Sequence, residues 1–149
     1  NELYANEKLV MICVLKGAFM FFGDLLKKVT VKPEIDFVRV ASYGNQTSSS
    51  KTISFTKDVE VSLDGKHVLL VEDVVDSGRT MKFLVQQMQA RGAKSLRVAS
   101  LVDKKERREV PVVVDFAGFD NATGFIVGYG LDYAEQYREL PAIYVASTD

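Results

Sequence analysis

After an apolar run that ends at Val71, the chain reads Glu72-Asp73-Val74-Val75-Asp76-Ser77-Gly78-Arg79-Thr80: three carboxylates lead into a Ser-Gly-Arg-Thr turn. From His67 to Val71 the pattern is that of a strand. Beyond the turn, Met81, Leu84, Val85 and Met88 recur at i, i+3, i+4 and i+7, as on the buried face of a helix, and Gly92 marks its stop. A helix start directs unpaired N–H groups and the positive end of its dipole at the turn, an arrangement that suits phosphate. Carboxylates beside it can hold ribose hydroxyls, a hard cation or a proton. The ligand these chemistries share is a phosphorylated sugar. The turn is neither Gly-x-x-x-x-Gly-Lys-Ser/Thr nor Gly-x-Gly-x-x-Gly. Solvated loop acids are the plain alternative, and acids that close a buried strand beside a Ser-Gly turn fit that alternative poorly.

The elements that must position this turn alternate. Strands are predicted at 9–15, 35–40, 67–72 and 95–102, helices at 18–28 and 80–91, and shorter strands near 112–115, 125–127 and 142–146. Near-continuous Val, Ile and Leu in strands separated by helices predict an α/β fold, a mostly parallel twisted sheet covered on both faces. Ligands of such sheets sit beyond the carboxyl ends of the strands, where the acidic turn lies. Residues 38–57 break the alternation and read as an antiparallel hairpin around a polar tip at 44–50, the composition of a flexible lid over a site and equally that of a surface loop.

With 149 residues, 47% hydrophobic and 26% charged, the chain is long enough for a single domain with its own core. A net charge of −1 gives no basis for general polyanion binding, so nucleic acid is not an expected partner. Lys16, Gly17, Gly23 and Asp24 interrupt the apolar runs, which excludes a membrane-spanning helix. The single cysteine, Cys13, lies in the first apolar strand and reads as a buried thiol, in keeping with a reducing, cytoplasmic setting. The sequence starts at Asn1 without Met, and a preceding N-terminal segment is expected.

The segment at 72–80 resembles the phosphoribosyl-pyrophosphate motif of type I phosphoribosyltransferases. Further motifs, in order from Val10 to about Val145, resemble their 6-oxopurine branch, the hypoxanthine-guanine phosphoribosyltransferases. That resemblance implies the fold of the family, with a small hood and a hairpin lid, and it implies roles. Glu72 and Asp73 match the acids that hold the ribose hydroxyls near Mg²⁺. Asp76 matches the general base facing purine N7. Ser77, Gly78, Arg79 and Thr80 match the 5′-phosphate cradle, with Arg79 where relatives often carry Lys. Lys16 and Gly17, otherwise a simple strand-to-helix turn, match the loop that receives pyrophosphate, which often holds a cis peptide before the Lys. Lys104, within the charge run from Asp103 to Arg108, matches the donor to the purine 6-oxygen; Asp103 and Lys105 match nothing in the pattern. Phe125 matches the ring that stacks on the purine, and Ile126 the backbone at its edge. Asp132 matches a ligand of a second Mg²⁺ near the purine pocket, and Arg138 a pyrophosphate contact. Ser42 and Tyr43 match the pair that closes over the reacting centre.

The implied reaction moves a phosphoribosyl group to N9 of hypoxanthine or guanine and releases pyrophosphate. Small-molecule substrates, Mg²⁺ and a homodimer or homotetramer come with the resemblance. Three rivals stand beside it: a sibling transferase for xanthine, adenine or a pyrimidine; a non-catalytic nucleotide- or RNA-binding regulator of the same fold; and a response-regulator-like domain, against which the Ser-Gly-Arg-Thr cradle argues.

Overall fold

The computed structural model describes residues 1–44 and 52–147. Its elements run β1 (Leu9–Val14), α1 (Phe19–Lys27), β2 (Glu34–Tyr43), β3 (Thr52–Lys57), β4 (His67–Val75), α2 (Arg79–Ala90), β5 (Ser95–Asp103), a 3-10 turn (Lys105–Arg107), β6 (Phe116–Phe119), β7 (Ile126–Val127) and β8 (Tyr144–Val145). Six strands form one sheet in the order β3-β2-β1-β4-β5-β6. All neighbours are parallel except β2 and β3, the two arms of the predicted hairpin. Of its expected tip, residues 45–50 lie outside the described residues.

The core follows from the period of two along each strand. Val10, Ile12, Val14, Val68 and Leu70 face one way and pack with Met81, Leu84 and Met88 of α2. Leu9, Met11, Cys13, Leu69 and Val71 face the other way and pack with Ala18 and with Phe22 of α1. All six residues of β1 are therefore buried. Each such side chain contributes about 1.5–3 kcal/mol relative to exposure.

The chain leaves β1 toward β2 on one side, while β4 pairs with β1 on the other. Such a reversal of strand order opens a crevice at the carboxyl ends. The loop after β1 and the acidic segment of β4 meet there: a Cβ on Gly17 would lie 1.9 Å from Asp73 Oδ2.

Three expectations shift. The fourth strand does not stop at its acids but runs on to Val75, because β5 continues alongside and pairs Glu72 with Ser100 and Val75 with Asp103. The strand predicted at 112–115 forms one step later, at Phe116–Phe119. Before it, Val112 and Val114 pack against the α2 side of the core, Arg108 takes the Val112 carbonyl at 3.4 Å, and Asp115 accepts the Val98 N–H at 2.8 Å. The last strand shrinks to Tyr144–Val145 and pairs with β7 in a separate antiparallel sheet, the hood beside the main one.

Candidate active site

The carboxyl end of β4 and the start of α2 form a cup of about 130 Å³, lined by Glu72, Asp73, Asp76, Ser77, Gly78 and Thr80 among others. Gly78 makes the turn with φ of +87°, and a Cβ there would lie 2.9 Å from the Val110 carbonyl oxygen, so glycine alone fits. The helix begins at once, and its first-turn N–H groups have no intrahelical acceptor. Ser77 Oγ accepts the Arg79 N–H at 3.3 Å, while the Arg79 side chain turns to Glu109 at 2.6 Å. The Arg79 guanidinium is thus engaged by Glu109.

The acids differ in surroundings. Glu72 is buried, and burial followed by the neighbouring charge of Asp73 raises its carboxyl well above the usual range. Burial and then the same two carboxylates push Cys13 up to about 12, so it remains a thiol. Asp76 is half exposed, with Arg107 Nε 3.3 Å from its Oδ1. That oxygen is buried as an atom and accepts no hydrogen bond among the described residues.

A second pocket, about 280 Å³, is lined by Lys104, Glu106, Arg107, Thr123, Gly124 and Phe125. Lys104 Nζ reaches the Gly124 carbonyl at 2.8 Å, and its N–H is held by the Val75 carbonyl at 3.0 Å. The Phe125 ring is partly exposed and meets Tyr133 edge-on, with centroids 5.6 Å apart. Ile126 is buried in β7.

Across the crevice, in the loop after β1, the peptide between Leu15 and Lys16 is cis. The backbone of Gly17 meets that of Gly130, whose Cβ, if present, would lie 2.3 Å from the Gly17 carbonyl oxygen. Arg138 donates to the Gly130 carbonyl at 2.7 Å and lies 3.5 Å from Asp132, and its buried Nε has no partner among the described residues. Asp132 Oδ2 accepts the Glu135 N–H at 2.9 Å. Ser42 and Tyr43 sit at the end of β2, with the Tyr43 side chain exposed.

Arg108, Asp103 and Glu135 are site-shaping residues that the charge pattern alone does not mark. Arg108 pairs with the buried Asp103 and holds the Asp76 carbonyl at 3.2 Å. Glu135 pairs with Lys16 at 3.0 Å, which lowers its carboxyl below the usual range.

A parallel sheet that carries an acidic strand end, a glycine-turned helix start and a cationic loop across the crevice defines a phosphoribosyltransferase. The chain belongs to that family: the phosphoribosyl transferase domain model matches residues 1–134. It is 46% identical over 140 residues to the hypoxanthine-guanine phosphoribosyltransferase of Bacillus subtilis, covering 94% of this chain and 78% of that one. Against the hypoxanthine phosphoribosyltransferase of Escherichia coli the identity is 44%, over 93% of this chain and 78% of the other. Among solved structures, the Staphylococcus aureus hypoxanthine phosphoribosyltransferase superposes with a TM-score of 0.93 at 37% identity, covering 98% of this chain and 79% of that chain. The Bacillus anthracis hypoxanthine-guanine enzyme, solved with HEPES in its active site, gives 0.92 at 41% identity, covering 98% and 86%.

Proposed function

We propose that this phosphoribosyltransferase moves the 5-phosphoribosyl group from phosphoribosyl pyrophosphate to N9 of hypoxanthine or guanine, a purine-salvage reaction in the cytoplasm. The observation that carries the reading is the position of Asp76. It walls the phosphate cup, and its ion-pair partner Arg107 lines the pocket that holds Lys104 and Phe125. In this reading one carboxylate serves both the sugar-phosphate and the base.

In this mechanism the C1′–oxygen bond to pyrophosphate breaks with its electron pair on the leaving group, while N9 of the purine bonds to C1′. The purine N7 proton passes to the Asp76 carboxylate once its exposed pairing with Arg107 gives way. Ser77, Gly78, Thr80 and the helix start hold the 5′-phosphate. Lys104 donates to the 6-oxygen, Phe125 stacks on the ring, and the Ile126 backbone takes its edge. Backbone N–H groups of Lys16 and Gly17, with Arg138, receive the pyrophosphate. Ser42 and Tyr43 cover the centre and keep water from the activated ribose.

The donor set fits a hard cation carried largely by substrate oxygens. Glu72 and Asp73 lie together at the ribose side and Asp132 at the pyrophosphate side, and among the described residues no three ligating groups converge. When bound there, Mg²⁺ offsets charge on the departing pyrophosphate. A homodimer or homotetramer is the expected assembly.

The test supplies phosphoribosyl pyrophosphate and Mg²⁺ with hypoxanthine, guanine, xanthine or adenine and follows nucleotide formation by absorbance. Turnover of hypoxanthine or guanine, with adenine inert, is the expected result. Xanthine alone would move the chain to the sibling transferase, and no turnover with any base would favour a regulator.

A further inference from the structure

Glu135 lies outside the roles assigned above, yet its carboxylate bridges both cations of the pyrophosphate side. Oε2 is 3.0 Å from Lys16 Nζ, and Oε1 is 3.3 Å from an Arg138 terminal nitrogen. The backbone goes out of its way to hold it there. Ala134 and Glu135 have φ of +51° and +67°, the left-handed region that L-residues enter at a cost, and the Asp132 carboxylate braces the turn through the Glu135 N–H at 2.9 Å. Lys16 and Glu135 are separated by 119 positions in sequence, so the bridge joins the loop after β1 to the loop after β7. Arg138 stays anchored through the Gly130 carbonyl at 2.7 Å and the Asp132 carboxylate at 3.5 Å, and its buried Nε has no partner among the described residues.

From this arrangement we infer that Glu135 is an internal counter-anion of the pyrophosphate subsite: it occupies Lys16 and Arg138 when the site is empty and must yield them when pyrophosphate arrives. The inference rests on the reading of Lys16 and Arg138 as the pyrophosphate side, and adds the Lys16 ammonium to the Lys16 and Gly17 amides that receive the leaving group there. A carboxylate and a pyrophosphate oxygen make the same charge-assisted bonds to these nitrogens, and both cannot hold them together. The consequence is weaker retention of the leaving group and faster release of product. Glu135 touches neither base nor ribose in this scheme; it acts through the two cations, as a positioning residue.

The experiment is calorimetric titration of pyrophosphate into the full chain at fixed Mg²⁺, for the parent, Glu135→Gln and Arg138→Ala. Both Lys16 and Glu135 are substantially exposed, where an ion pair is only a weak competitor, so Glu135→Gln should tighten pyrophosphate by roughly two- to five-fold. Its inhibition constant as a product should fall by the same factor. A merely structural role for Glu135 would instead loosen pyrophosphate, and unchanged or weaker binding by Glu135→Gln overturns the inference. Arg138→Ala separates the two levels. Weakened pyrophosphate with Arg138→Ala but no tightening with Glu135→Gln keeps the subsite and removes the counter-anion. Parental affinity in Arg138→Ala removes the subsite and the inference with it.

Discussion

Arg107 Nε stands 3.3 Å from Asp76 Oδ1, while the next residue, Arg108, holds the carbonyl of the same Asp76 at 3.2 Å. Consecutive arginines thus grip one residue by side chain and by backbone. Arg108 is itself fixed by the buried Asp103 at the end of β5. The carboxylate proposed as base is therefore anchored to the sheet through β5 as well as through its own strand. Its Arg107 contact is largely exposed and yields readily to an incoming purine.

Replacing Asp76 with Asn removes the proposed proton acceptor and keeps the shape of the cup. Turnover should fall by about 10²–10⁴-fold, the usual share of positioned proton transfer. Affinity for phosphoribosyl pyrophosphate should change by far less, because the phosphate is held by the helix start. Steady-state kinetics alongside a binding titration checks both, and undiminished turnover would end the base assignment.

Lys104 offers a donor to a 6-oxygen and a poor partner to a 6-amino group. With its N–H tied to Val75 and its ammonium beside Gly124, it is held at the mouth of the Phe125 pocket. Lys104→Ala should cost hypoxanthine and guanine roughly 10- to 100-fold in kcat/KM, the value of one charged hydrogen bond of about 1.5–3 kcal/mol. The same change should leave the KM for phosphoribosyl pyrophosphate within about two-fold, since that substrate is held across the crevice. Competition assays with paired bases read the selectivity directly.

The fold and half of this site are legible in the residues themselves. Met81, Leu84 and Met88 repeat at helical spacing and are all buried, and the Ser77-Gly78 turn stands where its neighbours predict it. Local pattern fails where a distant partner decides. Glu72 reads as the end of a strand because it is charged, yet β5 pairing carries the strand past it. The run from Asp103 to Arg108 reads as a solvated face, but Asp103 is buried against Arg108. No spacing rule connects Lys16 to Glu135 across 119 positions. Only the family resemblance marks Lys104 and Phe125, since a lysine in a charge run and an aromatic before a strand are commonplace.

Gly130 has φ of +97°, and its missing Cβ leaves room for the Gly17 carbonyl oxygen, 2.3 Å from where that atom would lie. Gly130→Ala forces the two loops apart and strains the backbone together. A destabilisation of about 1–3 kcal/mol is expected, as for other overpacked positions. The kinetic signature should be specific: a raised KM for phosphoribosyl pyrophosphate and a smaller change for the purine. Equal changes for both substrates would show that the contact does not shape the pyrophosphate side.

Asp36, far from the crevice, predicts a pH dependence of stability. Burial alone would raise its carboxyl, but the N–H groups of Val61, Glu60 and Phe37, aided by Lys57, outweigh burial and hold it below the ordinary 3.8. The distances are 3.0, 2.7 and 2.7 Å for the N–H donors and 3.6 Å for the Lys57 ammonium. A carboxyl with a depressed folded pKa stabilises the fold above its unfolded value and loses that contribution as pH falls through the folded one. Asp36→Asn should therefore cost about 1–3 kcal/mol near pH 7, from charged hydrogen bonds made neutral in a buried place. The gap between parent and variant should narrow once the pH drops below 3.8. Urea unfolding at pH 7, 5 and 3 measures the gap, and a constant difference across that range would mean that Asp36 acts through packing alone.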